Sequence, residues 1–216
     1  MLAAHTEKDS VWESVPQGSC PLDAALRGRF LLEHAAALSR ELGGPLHALD
    51  LGCGEGHFTA QLARTGAIVL GADVSAEALR RARSRRPDLH LQAIPADAPW
   101  PLADASFDLV WAGEVIEHVA DTAGWLSEVR RVLRPRGELL VSTPAHGRLE
   151  LLALALSPRR FDRHFDPRSD HLRFYSARSL RRLLDDFGFD DIEVRAAGGL
   201  PMARRVLLAC ARRKRW

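Results

Sequence analysis

The 216 residues alternate between two hydrophobic periods, and that alternation predicts an α/β fold built on a mainly parallel sheet. Short apolar runs fall at 46–51, 67–72, 89–94, 107–112 and 138–143, separated by segments of helical periodicity. Strand, helix and strand in that order require right-handed crossovers between parallel strands. A turn of alternating glycines follows the first run and an acid ends the second, which places ligand chemistry at the carboxyl edge of the sheet. A chain of this length buries one sizeable core without a second domain.

The elements follow in chain order. Residues 22–42 read as a helix with Leu22, Ala25, Leu26, the stem of Arg29, Leu32 and Ala36 on one stripe, stopped by Gly43-Gly44-Pro45. Strand 46–51 enters Gly52, Gly54 and Gly56, where missing side chains let a ligand lie against bare backbone as a helix begins. Strand 67–72 ends in Asp73; Ser75 caps a helix over 76–86, Glu77 suits its positive end and Pro87 stops it. Strand 107–112 leads to a helix bearing Glu114, Glu117 and His118, and Gly137 leads into strand 138–143. A helix over 177–187, closed by Gly188, and strands at 191–195 and 206–211 complete seven strands.

The glycine spacing separates this turn from its rivals. G-x-G-x-x-G for a dinucleotide and Gly-Lys-Ser or Gly-Lys-Thr for a phosphate loop are both missing. Asp73 lies about twenty residues beyond the glycines, where nucleotide-binding α/β folds place a ribose-binding carboxylate.

Asp50, Gly52, Gly54 and Gly56, as D-x-G-x-G-x-G, resemble motif I of the class I methyltransferases that use S-adenosylmethionine (SAM). Three more blocks are similar to that family, in its order: Pro95-Ala96-Asp97-Ala98, residues 107–119, and residues 130–144. In the last block Arg136 stands where the family usually has glycine, so Gly137 alone is expected to take a left-handed conformation. The resemblance covers residues 46 to 195. It implies a Rossmann-like seven-stranded, mostly parallel sheet with helices on both faces and the last strand antiparallel. It further implies SAM as cofactor, held by Arg27, Asp50, Gly52, Cys53, Gly54, Asp73, Val74, Asp97, Ala98 and Gly113. The expected organisation is an N-terminal helical cap over 1–45 and a methyltransferase domain over 46–216, with 145–175 as a substrate lid. Trp12 reads either as cover for the cofactor or as an anchor on the core.

Methyl transfer in such enzymes is in-line displacement, and positioning alone can supply about 7–11 kcal/mol, so no covalent nucleophile is needed. Cys53 is therefore read as a small residue of the turn, and a hydroxyl acceptor would lose its proton to His118, His146 or His171, in that order. Glu114, Glu117 and His118, at i, i+3 and i+4, would share one helix face. E-x-x-E-H there resembles the quinone-biosynthesis O-methyltransferases and the small-RNA 3′-end 2′-O-methyltransferases, some of which bind a divalent ion. A metal is not favoured, because spacing fixes no fourth ligand.

Composition narrows the partners. A net charge of +2 is too mild to imply nucleic acid, and the cluster Arg212-Arg213-Lys214-Arg215 reads as a solvated tail. Three widely spaced cysteines make neither a disulfide framework nor a metal knuckle. With no signal-peptide pattern and no apolar run of about twenty residues, the expectation is a soluble cytoplasmic protein, monomer or homodimer. Residues 149–156, apolar nearly all round, are expected to be buried, to cover a greasy acceptor or to form a dimer face. The expected activity is O-methylation of a small-molecule acceptor in a biosynthetic pathway. The alternatives are a metal-dependent RNA 3′-end methyltransferase, a non-catalytic SAM-binding or partner-binding module, and a polyamine synthase, for which no acidic run follows strand four beyond Glu114 and Glu117.

Overall fold

The structure, a computed structural model, describes residues 12, 15–97 and 99–215. Seven strands form one sheet in the order β3-β2-β1-β4-β5-β7-β6. They are β1 (His47–Leu51), β2 (Ile68–Asp73), β3 (His90–Ala93), β4 (Phe107–Gly113), β5 (Leu133–Pro144), β6 (Phe189–Ala197) and β7 (Val206–Arg213). Strands β1 to β5 pair in parallel, and β7 runs antiparallel to both of its neighbours, β5 and β6. The order reverses between β1 and β4, the kind of switch point at whose strand carboxyl ends open α/β sheets bind ligands.

Helices cover both faces, as the pleat dictates. Helices α1 (Ala24–Leu42) and α2 (His57–Ala63) pack Phe30, Leu31, Leu38, Phe58 and Leu62 against Ala48, Leu109, Trp111, Leu140 and Leu208. Helices α4 (Thr122–Val132) and α7 (Ala177–Asp186) pack Leu126, Val129, Leu180 and Leu184 against Leu49, Val110, Leu139, Val141 and Leu207. Leu109 and Trp111 thus face one layer while Val110 and Ala112 face the other. Helix α3 (Ala76–Arg85) links β2 to β3, capped by the Ser75 hydroxyl, which accepts from the Ala78 N–H at 3.1 Å. Two short helices, α5 (Arg148–Ala155) and α6 (Pro158–His164), occupy the long segment after β5.

Two expectations need correction. The stripe on α1 is rotated: Ala24, Arg27, Gly28, Phe30, Leu31, Ala35 and Leu38 are buried, whereas Ala25, Arg29 and Ala36 are exposed and Leu22 is 73% exposed. Alanine and leucine occur around most of this helix, so apolar spacing alone did not mark its inner face, which carries buried Arg27 beside Phe30, Leu31 and Leu38. At the turn into β5, Arg136 itself takes the left-handed conformation, φ 68°, and Gly137 does not. The Arg136 guanidinium is held at 2.9 Å by Asp190 and at 2.7 Å by Asp191, which pins the strained residue. Gly137 is needed for another reason: a Cβ there would meet the Arg134 carbonyl oxygen at 2.9 Å and that of Asp108 at 3.1 Å.

These two positions should therefore respond differently. Gly137→Ala is expected to lose about 1–3 kcal/mol by overpacking against backbone. Arg136→Gly should fall within about 1 kcal/mol of wild type, because relief of roughly 1–2 kcal/mol of left-handed strain offsets two part-exposed ion pairs. Urea unfolding of both variants tests the contrast; equal losses would refute it.

Candidate cofactor and active site

The glycine turn is shaped by its own backbone. Gly52 (φ 74°), Gly54 (φ 52°) and Gly56 (φ 75°) all take left-handed conformations that a side chain would strain. The N–H groups of Gly52 and Cys53 both donate to the Ala72 carbonyl, at 2.7 and 3.0 Å, which ties the turn to the end of β2. Asp73, at that end, accepts from the Gly54 N–H at 2.8 Å and from the Ser75 N–H at 2.9 Å. One carboxylate thus fixes both the glycine turn and the start of α3. A Cβ on Gly54 would lie 2.8 Å from the Trp12 ring, so Trp12 packs directly on the turn. The segment behind Trp12 is tethered there as well. Arg81 donates to the Val15 carbonyl at 2.9 Å, and Glu55 accepts from the Gly18 N–H at 2.7 Å.

Beneath the turn lies a buried charged group. Asp50 is 1% exposed and accepts a hydrogen bond from the Thr59 hydroxyl at 2.6 Å. Arg27, reaching in from α1, is buried over the Phe58 ring at 5.0 Å and the Trp111 ring at 5.8 Å, and its Nε stands 4.0 Å from Glu114. Burial pushes the Asp50 carboxyl up to about 7. Burial, then the like charge of Glu114, pushes Glu117 up to about 8. Burial lowers Arg27, opposed by Glu114, Glu117 and Asp50. Nε of Arg27 and Oε1 of Glu117 are buried and have no hydrogen-bond partner among the described residues. The cleft thus holds polar capacity of both signs that the protein does not use up.

Glu114, Glu117 and His118 do not share a helix face as expected. Glu114 takes φ 58°, and its carboxylate accepts from the Ser142 hydroxyl at 2.8 Å. Only Ile116–His118 form a 3₁₀ turn, in which Glu117 points down to the Thr143 hydroxyl at 3.0 Å. His118 turns outward, its Nδ1 2.9 Å from the Asp170 carbonyl and its ring 4.8 Å from that of His171. The break after β4 makes this a tight turn, and tight turns do not keep helical spacing. Metal-capable atoms of Glu117, His118 and His171 lie within 4.8 Å of one another, with Glu114 outside that group. His146 stands apart with Glu150 and His164. Burial lowers the His146 imidazole, partly opposed by Glu150.

The other expected residues fall on the same edge. Gly113 ends β4, where a Cβ would strike Arg27 Nη2 at 2.5 Å; Val74 is half-buried beyond Asp73, and Asp97 is exposed on the loop after β3. Ala98 lies outside the described residues. Cys53 is buried in the turn, and burial followed by the Asp50 and Asp73 charges raises its thiol well above the usual range, so it is no nucleophile. Thr59, Ser142 and Thr143 were missed by sequence reading. Thr59 carried a signal, as a hydroxyl in the first turn of the helix after the glycines.

Residues 49–141 match the family model described as Methyltransferase domain. A probable S-adenosylmethionine-dependent methyltransferase of Mycolicibacterium smegmatis is 37% identical over 142 residues, 66% of this chain and 51% of that protein. Residues 49–141 thus form a methyltransferase domain, similar to those of class I SAM-dependent methyltransferases. A ubiquinone biosynthesis O-methyltransferase of Sinorhizobium fredii is 36% identical over 132 residues, 58% of this chain and 52% of that one. The chain thus spans about half the length of these curated relatives. A crystal structure of a SAM-dependent methyltransferase from Mesorhizobium loti superimposes with a TM-score of 0.62 at 26% identity, covering 84% of this chain and 96% of that one. Among the described residues no helix is long and apolar enough to cross a membrane.

The raised carboxyls make stability depend on pH in a stated direction. Asp50 and Glu117 keep protons in the folded chain that the unfolded chain releases above about pH 4.5, so this contribution is lost as pH rises toward their folded values. The melting temperature of the ligand-free protein should therefore fall between about pH 5 and about pH 8. Asp50→Asn and Glu117→Gln should each flatten that slope in calorimetric scans. A slope unchanged in both variants would place the titration elsewhere.

Proposed function

We propose that this chain transfers a methyl group from SAM to a hydroxyl of a small, largely apolar acceptor, as a cytoplasmic biosynthetic enzyme, monomeric or homodimeric. One observation carries the reading: the left-handed glycine turn follows directly on buried Asp50, which with buried Arg27 and Glu117 and half-buried Glu114 forms a charged group at the sheet's switch point. The donor set fits the cofactor, because Arg27, whose buried Nε has no hydrogen-bond partner among the described residues, suits a carboxylate, and the surrounding acids suit an ammonium and a sulfonium. On this reading Asp73 meets the ribose, Gly52, Cys53, Gly54, Val74 and Gly113 line the backbone shelf, and Asp97 flanks the adenine. Bound there, the cofactor supplies a methyl group on a sulfonium whose leaving group is a neutral thioether.

The chain's own residues then handle the acceptor. A carbonyl only accepts, so Asp170 fixes the proton on His118 Nδ1 and leaves the lone pair on Nε2, the form a general base needs. His118 thus takes the hydroxyl proton, with His171 against its ring. Trp12 and residues 15–45 act as a cap over the cofactor and 145–175 as a lid over the acceptor. Leu149, Leu151, Leu152, Phe161 and Phe165 are substantially exposed on that segment, which favours an apolar acceptor. The likeness to a ubiquinone biosynthesis O-methyltransferase supports oxygen as the methylated atom. A metal-assisted reading rests on Glu117, His118 and His171. In that form a bound ion would lower the hydroxyl's pKa.

Calorimetry should find micromolar binding of SAM and of its demethylated product, weakened by about 10–100-fold in Asp73→Ala, the scale of a lost charge-assisted hydrogen bond. With an acceptor in hand, His118→Ala should lower kcat by about 10²–10⁴-fold with SAM affinity unchanged. EDTA and Mg²⁺ arms separate the metal-assisted form. Folded protein that binds neither nucleoside would overturn the proposal.

A further inference from the structure

Of the described side-chain clusters outside the cofactor shelf, one is built like a ligand site, and the proposed methyl transfer through His118 leaves its donors unused. His146 follows the end of β5, anchored where the Ala145 N–H donates to the Arg205 carbonyl at 2.9 Å. Glu150 lies four residues on, within α5, with a carboxylate oxygen 3.7 Å from His146 Nδ1. His164 is the last residue of α6, its ring 5.1 Å from that of His146. His146 Nδ1 and His164 Nε2 are both buried, and neither has a hydrogen-bond partner among the described residues. A buried polar atom without a partner loses its hydration and gains nothing, so two such nitrogens beside one carboxylate call for an occupant.

We infer that His146, Glu150 and His164 bind one divalent ion of the zinc class, tying the end of β5 to α5 and α6. Two imidazoles and a carboxylate form a borderline donor set suited to zinc, with a fourth position open. The three donor atoms already lie within 4.8 Å of one another. Tetrahedral zinc bonds of about 2.0–2.1 Å need donors about 3.4 Å apart, a contraction that side-chain rotation and a small slide of α6 can supply. The apolar shell is present too, since the Phe174 ring packs 5.2 Å from His146 and Phe165 packs 4.8 Å from His164.

Among the described residues, the two other clusters with metal-ligand chemistry are more fully engaged. His118 Nδ1 meets the Asp170 carbonyl, and Thr143 donates to Glu117 Oε2. In the cluster of His34, Glu138 and Cys210, Arg212 donates to Glu138 at 3.1 Å. The inference does not depend on methyl transfer, so its failure and the failure of that reading are separable.

The test is titration of EDTA-dialysed protein with Zn²⁺ against a chromophoric chelator, with Co²⁺ absorption as a report of tetrahedral geometry. One equivalent is expected, weakened about 100-fold or more in both His164→Ala and Glu150→Gln, with binding unchanged in His118→Ala and His34→Ala. Glu150 is exposed, so its isosteric variant should fold, and circular dichroism checks both. The site is overturned if wild-type protein takes up no ion. It is overturned equally if folded His164→Ala and Glu150→Gln bind as wild type, or if His118→Ala or His34→Ala abolishes uptake.

Discussion

The carboxyl edge of this protein is organised by one buried cation. Arg27 leaves α1 for the interior, lies against Phe58 and Trp111, and faces acids from three places: Asp50 on β1, Glu114 after β4 and Glu117 in the 3₁₀ turn. A guanidinium in an apolar wall is tolerated only with opposing charge nearby. Buried carboxylates in turn need either a cation or a proton, and the raised Asp50 and Glu117 show that Arg27 only partly meets that need. The unmet remainder is what makes the crevice receptive to a ligand carrying both an anionic and a cationic end.

The same constraint explains which parts of the fold were legible from sequence. Strand order and the glycine turn follow from apolar runs and from residues that only glycine suits, so D-x-G-x-G-x-G and Asp73 stood out directly. The face of α1 did not, because Arg27 reads as a surface residue until the acids opposite it are known. The turn after β4 misled for a related reason: i, i+3, i+4 spacing has helical meaning only if the backbone is helical, and Glu114 breaks it at φ 58°. At Arg136 the expected glycine conformation was kept by an arginine, because Asp190 and Asp191, more than fifty residues away, hold its head in place. Long-range ion pairs of that kind have no local signature.

Glu117 joins the proposed cofactor shelf to residues 145–175, the proposed acceptor lid. Its carboxyl belongs to the buried group, while its carbonyl accepts from the N–H groups of Leu172 and Arg173 at 2.8 and 3.1 Å. His118 beside it meets the Asp170 carbonyl, and the Tyr175 hydroxyl reaches the Ile116 carbonyl. The 3₁₀ turn is thus a shared wall: its inward side chain senses charge on the shelf, and its backbone carries the far end of residues 145–175. A positive charge arriving on the shelf would favour loss of the Glu117 proton and strengthen the Thr143 hydrogen bond to it. That change would occur one residue from the histidine proposed as base. Coupling between cofactor occupancy and acceptor geometry therefore needs no large motion, only a charge change at a residue whose side chain and backbone serve two different sites.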